Sequence, residues 1–292
     1  MNKGHFWIGV LAILICSNAS AQSEKIAYER LLTGNEPSYL VHAFDDESHE
    51  EFFISIKYRL FKDSIAWMDR YFRGQKTIYF TYNGKYDFFF GSRFSSPIIS
   101  RRQNPGLVFV NRFERLGVFG LENLKVGWHH ESNGQHIETK ETFLNTENAE
   151  DFVSRGWDYL GLEAQFTHPM PKGTLYIDTR IRIFCDCQAM GAIDRKEDAI
   201  FWKDVARQPD VRDFNGFRSM FSYHYNRDIR LSAQFRFGTH SVEDLKNVSY
   251  KLEATIRFLE IPLTMFYFDG YGKELSTYHQ KDSYVGFGLE FW

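Results

Sequence analysis

Residues 248–258 read Val248-Ser249-Tyr250-Lys251-Leu252-Glu253-Ala254-Thr255-Ile256-Arg257-Phe258. Apolar side chains hold the even positions, and polar or charged ones hold the odd positions. Successive side chains of a β-strand point to opposite faces, so this stretch predicts a strand with one apolar and one charged face. The pattern recurs along the chain. Leu175, Ile177, Thr179, Ile181 and Ile183 alternate with Tyr176, Asp178, Arg180, Arg182 and Phe184. Leu231, Ala233, Phe235 and Phe237 alternate with Arg230, Ser232, Gln234 and Arg236, and Val285, Phe287, Leu289 and Phe291 with Tyr284, Gly286, Gly288 and Glu290.

Working outward, alternation predicts about twelve strands. They lie near 37–43, 51–61, 76–90, 105–114, 122–132, 157–168, 174–184, 214–224, 229–238, 248–259, 263–269 and 282–292. Several have roughly ten residues, the length a tilted strand needs to cross a bilayer, and bacterial membrane barrels use even numbers of strands. Connections near 169–173, 225–228 and 260–262 are short and carry His-Pro, Asn-Arg-Asp and Ile-Pro turn residues. Those near 133–156, 185–213 and 270–281 are long and polar. Short turns at one end and long loops at the other form the barrel pattern, which the long connection at 62–75 breaks.

Alternation alone does not say which face turns outward. A lipocalin-like barrel hides its apolar face inside, and a secreted β-sandwich buries it between two sheets. Two features favour lipid outside. Arg, Lys, Glu and Asp recur on the polar faces of nearly every strand, which suits a wet, salt-bridged lumen. The chain also ends on an alternating aromatic strand whose last residue is Trp292. The expected fold is all-β, a transmembrane antiparallel β-barrel of about 12 strands.

The 292 residues carry a formal net charge of -3, which gives no reason to expect a nucleic-acid partner. The 29 Phe and 16 Tyr are spread along the chain, and no stretch beyond the N-terminus is long and apolar enough for a membrane helix. Met1 to Ala21 reads as a secretory signal peptide. Lys3 gives the positive charge, Phe6 to Ile15 the apolar core, and Ala19-Ser20-Ala21 the cleavage site. The barrel domain is then 22–292. Removal of the leader takes Cys16 with it. The remaining pair, Cys185 and Cys187, lies on one face of a strand and is assigned no catalytic role.

Chemistry concentrates in Trp128-His129-His130-Glu131-Ser132-Asn133-Gly134. His130 and Ser132 share the face of Leu124, Val126 and Trp128, side by side as a base and its nucleophile must be. His129 and Glu131 take the other face. A charged imidazole needs an orienting partner. Ser154-Arg155-Gly156-Trp157-Asp158 opens the next strand, and its Asp158 shares the apolar face with Leu160, Leu162 and Ala164.

These motifs resemble the outer-membrane phospholipase A family. Its signature, H-[DQ]-S-N-G followed by S-R-S-W-N, reads here His130-Glu131-Ser132-Asn133-Gly134 and Ser154-Arg155-Gly156-Trp157-Asp158. Ser95-Ser96-Pro97 lies upstream at the expected distance. The resemblance implies a twelve-stranded bacterial outer-membrane barrel that hydrolyses phospholipid acyl esters, of A1/A2 and lysophospholipase type. It also implies dependence on calcium (Ca2+) and a homodimer when active. In these terms Ser132 resembles the nucleophile and His130 the general base. Asp158 orients the imidazole where the family has asparagine, and the backbone N–H of Gly134 is the oxyanion donor. The implied calcium site uses the carbonyl of Gln135, the hydroxyl of Ser154, and Ser96 of the partner subunit. The family has arginine in place of Gln135. The segment between Asn133 and Ser154 is also longer here, with added acids Glu138, Glu141, Glu147, Glu150 and Asp151. Two other readings stand beside this one. One is a catalytically inactive outer-membrane barrel acting as a pore or structural protein. The other is a secreted soluble β-protein with a metal or sugar site.

Overall fold

The computed structural model describes residues 31–62, 74–90, 98, 100–117, 120–185, 211–239 and 241–291. The expected leader 1–21, Ser96, Cys187 and Trp292 lie outside them. The strands are β1 (Leu32–Gly34), β2 (Ser38–Phe44), β3 (His49–Lys62), β4 (Gln75–Phe88), β5 (Arg101–Leu116), β6 (Leu121–Ser132) and β7 (Gly156–Met170). They continue as β8 (Gly173–Cys185), β9 (Phe217–His224), β10 (Ile229–Phe237), β11 (Ser249–Phe258), β12 (Ile261–Tyr271) and β13 (Lys281–Phe291).

From β2 to β13 each strand pairs antiparallel with the next, and β13 pairs back onto β2 with Phe287 opposite His42. The sheet therefore closes into a twelve-stranded barrel. β1 is additional. It pairs with β3 through Leu32↔Tyr58, while β2 takes the same edge of β3 through Tyr39↔Phe53. β1 and β2 thus behave as one strand interrupted at Asn35, Glu36 and Pro37. Each of the twelve strands expected from alternation is present.

Local details correct the expectation. β9 starts at Phe217 because Val211–Asp213 forms a 3-10 turn ahead of it. The turn between β11 and β12 is not made by Ile-Pro. Leu259 and Glu260 both have positive φ (47° and 67°), the twist a two-residue hairpin requires, and Ile261 and Pro262 already belong to β12. His168 and Pro169 likewise remain in β7. The Asn226 turn is as expected: its Oδ1 accepts from the N–H groups of Asp228 and Ile229 at 2.8 and 2.9 Å.

The barrel is inside-out. Leu252 and Ile256 are 47% and 52% exposed, and Ile183, Leu231 and Phe287 project outward in the same way. The odd-numbered side chains of β11 turn inward, where Arg230 pairs with Glu253 at 2.5 Å and also with Glu290. This orientation excludes a lipocalin-like barrel and, with the closed ladder, a β-sandwich. An exposed apolar belt over a polar lumen is the arrangement of a membrane-spanning barrel.

Charges placed in a lumen cost several kcal/mol each unless paired and hydrogen-bonded. Arg180 donates from Nε to Glu163 at 2.7 Å, and Lys125 also pairs with Glu163. Glu36 reaches in from the break between β1 and β2. It accepts from Arg180 at 3.1 Å and from both terminal nitrogens of Arg218 at 3.2 Å. The interruption of the first strand therefore places a carboxylate between two guanidinium groups on the far wall.

Replacing Glu36 with Gln leaves Arg180 and Arg218 short of one negative charge. We expect a loss of about 2 kcal/mol in unfolding free energy, below that for a fully buried pair because the side chain keeps 22% exposure. Denaturant titration of the detergent-solubilised barrel measures it. A loss under about 0.5 kcal/mol, the level of an ordinary surface substitution, would show that the strand break does not clamp the lumen.

Candidate active site

β6 and β7 build the site. Their register sets His130 opposite Asp158 and Ser132 opposite Gly156. Alternation turns His130, Ser132 and Asp158 to the outer surface, beside the apolar belt. His130 Nδ1 lies 2.8 Å from Asp158 Oδ1, with side-chain exposures of 29% and 11%. An ionised carboxylate only accepts, so Nδ1 carries the proton and Nε2 is left as the basic nitrogen. Ser132 lies two residues on along the same face. Gly156, facing Ser132 across the ladder, has no side chain to crowd its hydroxyl.

The chain leaves β6 through a pinned turn. Asn133 is buried, and its Nδ2 donates to the Val153 carbonyl at 2.8 Å. Its Oδ1 accepts from the N–H of Arg155 at 2.8 Å and of Gln135 at 3.3 Å. Its own N–H donates to the Arg155 carbonyl at 3.1 Å. One side chain thus ties the segment after Ser132 to the segment before Asp158. Gly134 has φ +57°, the left-handed region that glycine enters without cost. Arg101 donates from Nε to the Asn133 carbonyl at 2.5 Å and from its terminal nitrogen to the Gly134 carbonyl.

β6 is also held from the lumen. The His129 ring fills the hollow left by Gly106, Gly127 and Gly161, where a Cβ on Gly127 would lie 2.7 Å from Nε2. It stacks on Tyr159 with centroids 5.0 Å apart and 13° between planes. The Tyr159 hydroxyl donates to Asn104 Oδ1 at 3.1 Å, and Asn104 Nδ2 donates to the His130 carbonyl at 3.2 Å. Sequence reading gave no role to Asn104, Tyr159 or Arg101, since each acts on groups outside its own strand, contacts that alternation does not reveal. Asn133 was inside the quoted motif without a role.

The longer segment 133–155 has its own small core. Ile137, Ala149 and Val153 are buried together, with Phe143 and Phe152 packed against them. Ile137 N–H donates to the Phe152 carbonyl at 3.0 Å, and Ser154 N–H to the Ile137 carbonyl at 2.9 Å. A one-turn helix, Lys140–Leu144, is capped by Thr139. Glu138, Glu141, Glu147 and Glu150 are exposed, a solvated outer surface. Arg155, by contrast, is drawn into the fold near the Tyr278 ring at 5.7 Å. Burial lowers its guanidinium to about 10, which leaves it charged at neutral pH.

Gln135 and Ser154 stand on the two segments that Asn133 and the Ile137–Val153 pairing hold together. A backbone carbonyl and a hydroxyl are neutral oxygen donors of the kind calcium accepts. Ser96, the third expected ligand, lies outside the described residues. Among those residues, one group of metal-capable side chains clusters within 4.8 Å: His49, Glu51 and Asp87. It lies on the inner face of the barrel, and Lys85 Nζ already sits 3.1 Å from Glu51 and 3.6 Å from Asp87. It is a charge-paired cluster separate from the site on β6 and β7.

The family model of phospholipase A1 matches residues 13–291, nearly the whole chain. The chain belongs to the phospholipase A1 family. That membership makes it a phospholipase, and the inside-out barrel makes it an outer-membrane β-barrel. Among solved structures it is similar to outer membrane phospholipase A from Escherichia coli. The identity is 15% and the TM-score 0.66, covering 93% of this chain and 95% of that one. It is also similar to a calcium-bound dimer of the Salmonella typhi outer membrane phospholipase. Here the identity is 15% and the TM-score 0.67, over 91% of this chain and 93% of that one. A third similar structure, at 15% identity and TM-score 0.67, is an Escherichia coli variant with an active-site asparagine changed to alanine. It covers 93% of this chain and 95% of that chain. No curated protein matches the chain.

Asn133→Ala removes three side-chain hydrogen bonds at once and leaves buried backbone groups unpaired. We expect a folded barrel whose hydrolytic activity falls about 100-fold, the scale of a small misplacement of reacting groups. Heat-modifiable migration checks the barrel, and limited proteolysis should cut within 134–153. Unchanged activity would show that the turn is not held by this side chain.

Proposed function

We propose that the chain is a calcium-dependent outer-membrane phospholipase that cleaves acyl esters of phospholipids, of A1/A2 and lysophospholipase type. The observation that carries this reading is the His130–Asp158 pair at 2.8 Å, next to Ser132 on a lipid-facing surface. Membership of the phospholipase A1 family supports it.

The ester of a bilayer lipid lies at the interface, so substrate reaches Ser132 laterally without entering the lumen. Ser132 Oγ attacks the ester carbonyl while His130 Nε2 takes the hydroxyl proton. Asp158 accepts the Nδ1–H bond throughout, which fixes the tautomer and stabilises the imidazolium. The Gly134 N–H donates to the developing oxyanion. Collapse breaks the ester C–O bond, and the proton passes from His130 to the leaving lysolipid hydroxyl. Water then attacks the acyl-serine with His130 again as base, releasing fatty acid. The Gln135 carbonyl and the Ser154 hydroxyl would hold calcium, which would supply positive charge to stabilise that oxyanion. Active protein is a homodimer whose apolar outer faces meet beside Ser132, with Ser96 of the partner subunit completing the ion's ligands. The similar Salmonella typhi structure, a dimer with bound calcium, supports the homodimer and the ion.

Purified protein in detergent micelles should release fatty acid from phospholipid on adding calcium and stop on chelation. Ser132→Ala and His130→Ala should each lower the rate about 10⁴-fold with the barrel folded. Asp158→Asn should retain far more activity than Asp158→Ala, because a neutral oxygen still orients the ring. Ser154→Ala should raise the calcium needed for half-maximal activity. Sedimentation should show calcium shifting monomer towards dimer. A folded wild type that releases no fatty acid with calcium points instead to a pore or structural barrel, and full activity from a monomer rules out the dimer.

A further inference from the structure

Two strands flank β6, and Ser132 has an opposite number on each. On β7 it faces Gly156, and on β5 it faces Gln103. Directly opposed residues share a face of the sheet and hold their Cβ atoms about 4.5–5.5 Å apart. Gln103 therefore projects outward beside Ser132, while its chain neighbours Arg102 and Asn104 line the luminal cavity. A glutamine side chain is long enough to cross that gap. On its other side Gln103 faces Gly84 of β4, over which Tyr82 and Tyr86 close with their hydroxyls 2.5 Å apart. A Cβ on Gly84 would lie 2.9 Å from the Tyr86 ring and 3.0 Å from that of Tyr82.

The polar side chains of this outer face divide by task. Asp158 holds His130, Arg101 donates to the carbonyls of Asn133 and Gly134, and the two tyrosines bond each other. Gln103 is half-buried, and its amide has no hydrogen-bond partner among the described residues. A partnerless amide beside lipid is costly, and this one lies next to the hydroxyl that attacks the ester.

We propose that the Gln103 amide N–H donates to the carbonyl oxygen of the scissile ester, as a second oxyanion donor beside the Gly134 N–H. The inference rests on the hydrolase reading above. The side of approach suits the role. Asp158 holds the His130 ring from β7, whereas Arg101, two residues before Gln103 on the same face, ties the turn at Gly134 to β5. The base is thus anchored on one side of Ser132 and the donors on the other. As Ser132 Oγ bonds to the carbonyl carbon, the π electrons move onto the carbonyl oxygen. A bond to that oxygen strengthens as its charge grows, so the amide stabilises the transition state more than the bound lipid.

Steady-state hydrolysis of phospholipid in mixed micelles with calcium tests it. Gln103→Leu should lower kcat about 100-fold and leave KM within about twofold, the scale of one lost oxyanion donor. Gln103→Glu keeps the shape but replaces the donor with an acceptor. It should be as slow at neutral pH, and its deficit against wild type should shrink as acid protonates the new carboxyl. Both variants are compared in protein with native heat-modifiable migration and wild-type sedimentation at the same calcium. Full activity at neutral pH in natively migrating Gln103→Leu or Gln103→Glu, beside an active wild type, overturns this inference and leaves the hydrolase reading standing. So does an effect confined to KM, which marks a lipid-binding contact, or a loss that follows loss of the dimer. A wild type that releases no fatty acid overturns both.

Discussion

A backbone N–H facing hydrocarbon has no water to bond, so a spanning sheet must have no free edge. The ladder between β13 and β2 meets that constraint, and the rest of the molecule depends on it. Closure fixes an inside and an outside, and the period of two then sorts every residue of every strand. Apolar side chains take the lipid side. Charges are driven inward, where only mutual pairing makes them tolerable. The Glu36 clamp, the His129 hollow and the outward projection of His130 and Ser132 all follow from the same sorting.

The candidate site is a property of two adjacent strands and their register. Asp158 meets His130 because the two residues are directly opposed, not because distant parts of the chain converge. Precision comes from behind: Asn104 holds the His130 carbonyl, Tyr159 holds Asn104, and His129 packs on Tyr159. Polar chemistry on a greasy surface is thus anchored in the wet interior by the opposite face of the same strands.

This geometry explains what the sequence made legible. Strand existence was readable from alternation, as was the facing of His130 and Ser132, because period two needs no tertiary information. Asp158 was readable too, since the pairing of neighbouring strands follows chain order. Strand ends were less so. Leu259 and Glu260 form a tight turn without Gly or Asn, and nothing local marks them. β12 is harder still. Phe266 and Phe268 turn inward to an apolar cluster with Val41, Ala43 and Tyr284, while Met265 and Tyr267 turn outward, so both faces look alike in sequence. β1 is too short to carry a period, and the small core of 137–153 depends on contacts that no repeat announces.

That small core has an evolutionary consequence. Its two ends are fastened by Asn133, so residues between Thr139 and Asn148 are added or lost without moving Ser132 or Asp158. Within β6 the tolerance is nil. Deleting one residue between Leu124 and Trp128 rotates everything on one side of the gap to the opposite face. Held at its outer end, the strand would then offer lipid its luminal set; held at its inner end, it would carry His130 into the lumen and present His129 to the membrane. Length variation among relatives should therefore gather in the loop, and the strand beside it should change only by substitution.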